Sequence, residues 1–215
     1  MMKNVAVALA LMLLPRAGAA QDPRLGRLAP DARALVAPLV DSAHAAGLPT
    51  EPLVNRALEG ASKGAAAPLI VAAVRRLAAD LGRARDALGP AARTAELAAA
   101  ADALRAGASP AVLQRLRDAL GVRRLAVPLG VTADLTARGV PADTAATLVI
   151  TLARSVEDAQ LLALQREVER DIALGAPPLA AAAGRLGAED FVNVASPRTE
   201  PTGTGTSATP VRRKP

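Results

Sequence analysis

Four short stretches of the chain repeat one pattern: AAGLPTE at 45–51, RAGASPA at 105–111, ARGVPAD at 137–143 and ALGAPPL at 173–179. In each, a run of helix formers ends at a glycine and a proline follows within three residues. Glycine takes the left-handed conformation that closes a helix C-terminus. Proline lacks an N–H, and the first turn of the next helix is the one place where that N–H would have no partner. Thr50 and Ser109 stand where a side-chain oxygen can cap the helix that follows. Ser155 does the same ahead of Glu157 and Asp158, acids that suit the positive start of a helix. A chain punctuated in this way folds as short helices joined by tight corners.

The corner glycines are spaced by 60, 32 and 36 residues, and Gly64 and Gly89 add further breaks. A pair of short antiparallel helices then recurs every 30 to 36 residues or so, a layout that resembles helical-hairpin or α-solenoid arrays. The resemblance is one of layout alone, because the tetratricopeptide pattern needs a tryptophan and a tyrosine and this chain has neither. Composition agrees with an all-α class. Alanine, the best helix former, fills 54 of 215 positions, and the sole aromatic residue is Phe191. No stretch alternates at the period of a strand.

Apolar periodicity places helices at about 31–46, 50–62, 66–88, 94–106, 110–120, 125–138, 142–153, 156–174 and 178–186. The first should bury Leu35, Val36, Leu39 and Val40, and the second Leu53, Val54, Ala57 and Leu58. The longest steps through Ile70, Val74, Leu77, Leu81, Ala84 and Leu88 in alternate fours and threes, the seam of a helix lying along another. Pro128 and Gly130 work against the helix at 125–138.

The opening MMKNVAVALALMLLPRAGAAQDPR has the three parts of a secretory signal: Lys3, an apolar run from Val5 to Leu14, and small residues up to Ala20. Cleavage is expected before Ala20 or before Gln21. A run of ten is half the roughly 20 residues a spanning helix needs. The chain contains no cysteine, which rules out a lipid-bearing cysteine, disulfides and thiolate zinc sites. The expectation is a signal peptide over 1–20, a single all-helical domain over 21–195, and a disordered Pro/Thr/Gly-rich tail over 196–215. The address is the periplasm or the medium, with no transmembrane segment after cleavage.

The formal net charge of +6 invites a nucleic-acid reading, but its placement does not support one. Between residues 21 and 195, 20 basic residues face 19 acidic ones. A phosphate-binding surface needs clustered excess charge, and single-stranded ligands need aromatic platforms. No nucleic-acid partner is expected. Arg212, Arg213 and Lys214 at the tail could make weak contact with an anionic surface.

Candidate chemistry is sparse. His44 is the only histidine, and its D-S-x-H context puts Ser42 some 100° of helix away from Asp41, so a relay is not built. One histidine makes no multi-histidine metal site; neither metal nor cofactor is expected. QREVERD at 165–171 sets Arg166 with Arg170 and Glu167 with Asp171 at i, i+4, repulsions that Arg166–Glu169 and Glu167–Arg170 at i, i+3 can offset. The densest polar mixture is Asn55, Arg56, Glu59, Ser62 and Lys63, with Arg56, Glu59 and Lys63 at i, i+3, i+7. It is either a patch for a ligand carboxylate or a salt-bridged outer face worth a few tenths of a kcal/mol per pair. No catalytic residue stands out. The reading is an exported helical binding or scaffold protein of the bacterial envelope, with an envelope protein as partner. The alternatives are an enzyme acting on envelope polymers through carboxylates such as Glu59 or Glu167, or a peripheral membrane-surface protein.

Overall fold

A computed structural model of the chain describes residues 22–121 and 124–186. The expected signal segment, the tail and Phe191 lie outside the described residues. Among these, every regular element is helical: a 3₁₀ turn at Pro23–Arg27, then α1 (Pro30–Ala45), α2 (Glu51–Ser62), α3 (Ala67–Leu88), α4 (Thr94–Ala106), α5 (Pro110–Leu120), α6 (Ala126–Ala137), α7 (Ala142–Ala153), α8 (Asp158–Ala173) and α9 (Pro178–Ala183). None of the described helices is long and apolar enough to cross a membrane.

The corners are built as the sequence implies. Gly47 sits at φ +71°, Gly107 at +116°, Gly139 at +92° and Gly175 at +100°. Each closes its helix with the same two hydrogen bonds. At the first, the Gly47 N–H donates to the His44 carbonyl at 2.8 Å and the Leu48 N–H to the Ala43 carbonyl at 2.9 Å, the Schellman pair that satisfies orphan carbonyls. The equivalent second bonds run from Ala108 to Ala103, Val140 to Leu135 and Ala176 to Asp171. Gly64 forms a further copy, with the Ala65 N–H on the Gly60 carbonyl.

The chain divides into two compact units, one ending at Asp102 and the other starting at Ala103. In the first, α1 and α2 both pack on α3. The α3 seam is buried from Ile70 through Val74, Leu77, Leu81 and Ala84 to Leu88. In the second unit, α6 packs on α7 and α8 on α9, while α5 lies on α7, α6 on α8 and α7 on α9. Packing on the next helix but one is how hairpin arrays bury a face that no single pair can cover.

Several local expectations are corrected. Leu35 is 54% exposed and Leu39 only half-buried. The buried arc of α1 is instead Ala32, Val36, Ala37, Val40 and Ala43. Small residues there bring the α1 backbone close to its neighbours, and the leucine is left on the wet side. Thr50 makes no side-chain cap to α2, whereas Ser109 accepts from the Val112 N–H at 3.3 Å. Ser155 donates back to the Leu152 carbonyl, and α8 is capped by Glu157 in a reciprocal box with Gln160. Pro128 is buried at the third position of α6, where its missing N–H breaks no intrahelical bond.

Candidate functional site

The α2 helix is seated from both ends. Before it, Arg85 of α3 donates from Nη1 to the Gly47 carbonyl at 3.0 Å and from Nη2 to the Ala46 carbonyl. That guanidinium pins the α1–α2 corner against α3. A Cβ on Gly47 would lie 3.0 Å from Arg85 Nη1. Near the other end, Gly60 lies so close to Ile70 that a Cβ there would come within 2.9 Å of its Cγ1. The buried side of α2 is Leu53, Val54 and Ala57; its opposite side carries the polar mixture.

Asn55, Arg56 and Glu59 line one wall of a cleft of about 360 Å³ within the first unit. Pro52 and Leu77 add an apolar surface, and Ala98 and Asp102 of α4 complete the lining. Arg56 Nη1 donates to Glu59 Oε2 at 3.1 Å, and Lys63 Nζ donates to Glu59 Oε1 at 2.6 Å. Both oxygens of Glu59 are therefore engaged, and the carboxylate holds Arg56 in place. Asn55 is oriented from outside the helix, since its Oδ1 accepts from Arg24 Nη1 at 3.2 Å. Arg24 is in turn gripped by Asp22, which accepts from Nη2 at 2.7 Å and from the Arg24 backbone N–H at 2.9 Å. The side-chain and backbone hydrogen bonds from Arg24 hold the Asp22 carboxyl below its usual range, and the bond to Asp22 raises Arg24 in return.

Of the five residues singled out by sequence, the structure brings Asn55, Arg56 and Glu59 to the cleft. Ser62 turns its hydroxyl onto the Glu59 carbonyl, and Lys63, 70% exposed, reaches Glu59 from outside the lining. The sequence pattern does not mark Leu77, Ala98 or Asp102 as part of the same cleft. The one signal for Asp102 is that it is a lone acid in the alanine-rich AAAADALRA of α4.

The charged run of α8 is organised differently from the expected i, i+3 pairs. Glu167 and Asp171 both accept from Arg185 beyond α9, Asp171 at 2.6 Å. Glu169 instead accepts from Arg138 Nε at 2.9 Å and from Gln165 at 3.0 Å, and Gln165 also donates to Asp134 of α6. Burial raises the Glu169 carboxyl, but the Gln165 and Arg138 hydrogen bonds outweigh it and leave it below the usual value. The bond to Asp171 leads in raising Arg185. These contacts tie α8 to α6 and to the end of α9. His44 is exposed in the last turn of α1, and no metal-holding group of acids and histidines occurs among the described residues. The chain matches no family model, no curated protein sequence and no solved structure.

Proposed function

We propose that this is an exported, non-catalytic binding protein of the bacterial envelope, and that the α2 cleft is where it binds. Export is supported by the apolar run from Val5 to Leu14 with its small-residue end. Binding is supported by one observation above the rest: Arg56 and Asn55 bring hydrogen-bond donors to a cleft that has an apolar surface from Leu77 and Ala98. Pockets of this kind, mostly apolar with a few placed polar groups, are where small ligands bind. The guanidinium fork and the amide NH₂ both suit a carboxylate. Within the first unit, α1 and α2 packed on α3 give the frame that a placed binding group needs.

The test has two parts. N-terminal sequencing of the exported protein should start at Ala20 or Gln21; an intact Met1 in the membrane fraction would overturn export. Isovalerate, a bare aliphatic carboxylate, should bind the wild-type protein and at least tenfold more weakly to Arg56→Ala. Equal affinity for the two proteins overturns the carboxylate site.

A further inference from the structure

We infer that the ligand of the α2 cleft is a small aliphatic zwitterion, an amino acid or dipeptide, whose carboxylate meets Arg56 and Asn55 and whose ammonium faces Asp102. This rests on the cleft being a carboxylate site. It adds the rest of the ligand.

The donor side is the first observation. A guanidinium has five N–H donors, and the one in use on Arg56 is at Nη1, on Glu59. Asn55 uses its carbonyl oxygen on Arg24, which leaves its NH₂ as the group to offer. Glu59 already carries two cations, Arg56 and Lys63, and their like charge turns an ammonium away from it. The second observation is the acid that α4 brings to the lining. Asp102 lines the cleft from α4, and a carboxylate has about four lone-pair sites, so it can accept an ammonium alongside a protein partner. A ligand with a carboxylate alone would bring like charge to Asp102. One with an amine alone would bring like charge to Arg56. A zwitterion satisfies both, and mismatched charge is what sets specificity.

Leu77, Ala98 and Pro52 share the lining with these polar groups, and they suit an aliphatic side chain. The volume of about 360 Å³ falls at the low end of the roughly 300–1,000 Å³ of small-molecule pockets. That size fits an amino acid or dipeptide rather than a stretch of polymer. Asp80, buried in α3, accepts from Arg83, and the acids of α8 accept from Arg138 and Arg185.

Equilibrium binding to the purified protein tests this with three probes: L-leucine, N-acetyl-L-leucine and L-leucinamide. Leucine should bind. Masking the amine or the carboxylate should weaken binding at least tenfold each. Asp102→Asn should erase the gap between leucine and its N-acetyl form, and Arg56→Ala should abolish leucine binding. If N-acetyl-leucine binds as tightly as leucine, the zwitterion is wrong and the carboxylate site stands. If leucinamide binds as tightly as leucine, both fall. Failure of leucine to bind while isovalerate does also overturns the inference and leaves the carboxylate site intact.

Discussion

The two units each contain a cleft of nearly the same size, about 360 Å³ beside α2 and about 370 Å³ between the end of α8 and α9. Their charges are paired differently. Beside α8, the charged pair in the lining is Asp171 and Arg185, which bond to each other, and Arg185 also serves Glu167. Two carboxylates share one guanidinium, and little donor capacity faces the space. Beside α2, Glu59 is shared by two cations, Arg56 and Lys63, and Asn55 and Asp102 add an amide and a second carboxylate to the lining. The contrast teaches that a cleft is not a site by virtue of volume. What matters is whether its polar groups are matched within the protein. A matched set joins elements together, and a surplus is available to a ligand.

The comparison is broken most severely at the corner that seats α2. Gly47→Val places a β-branched residue at φ +71° and sets a Cβ 3.0 Å from Arg85 Nη1. The left-handed strain alone is about 1–2 kcal/mol, and displacement of Arg85 would release its two carbonyl acceptors as well. The drop in a thermal melt should exceed that of Arg185→Ala and that of Arg56→Ala combined with Lys63→Ala. A melt equal to the parent would mean that neither the corner nor Arg85 fixes α2, and the α2 cleft would lose its claim to preorganisation.

Next in size is the matched cleft. Arg185→Ala leaves Glu167 and Asp171 as an unrelieved like-charge pair at i, i+4 and unties α8 from the residues after α9. The expected loss is about 0.5–1 kcal/mol, the upper part of the range for partly exposed ion pairs. It should shrink in 1 M salt, where the screening length falls to about 3 Å. A loss that persists unchanged at high salt would mean that Arg185 acts by packing its stem, not by pairing acids.

How much of this was legible in the sequence follows from how far each cause reaches along the chain. The helix bounds at Thr94–Ala106, Pro110–Leu120 and Ala142–Ala153 match the expected 94–106, 110–120 and 142–153, because Gly, Ser and Pro punctuation acts within a few residues. The α3 seam was equally plain, since a 22-residue helix averages its period over many turns. What failed was what depends on neighbours. Leu35 falls on the apolar stripe of α1, but the arc that meets the rest of its unit is chosen by the alanines. The pairing of Glu167 with Arg185 and of Glu169 with Arg138 spans 18 and 31 residues, and helix periodicity says nothing at that range. The candidate site divides in the same way. Asn55, Arg56 and Glu59 share one helix and were found together, whereas Leu77, Ala98 and Asp102 come from α3 and α4 and carry no local mark.

The smallest expected effect on stability is the one that sharpens the comparison best. Arg56→Ala combined with Lys63→Ala removes both cations from Glu59. These are i, i+3 and i, i+4 pairs on one helix, with Glu59 44% and Lys63 70% exposed. Pairs of this kind contribute about 0.2–0.5 kcal/mol each, so the double variant should stay within about 0.5 kcal/mol per site of the parent. The helix keeps its buried side, Leu53, Val54 and Ala57, and its corner at Gly47. Binding is another matter, since Arg56 is the guanidinium in the lining of the cleft. A variant that melts like the parent and no longer binds isovalerate separates ligand capacity from fold, as the contrast between the clefts requires. A variant that loses several kcal/mol of stability would place the α2 charges with those of α8, as structural pairs, and would leave the first unit without a site.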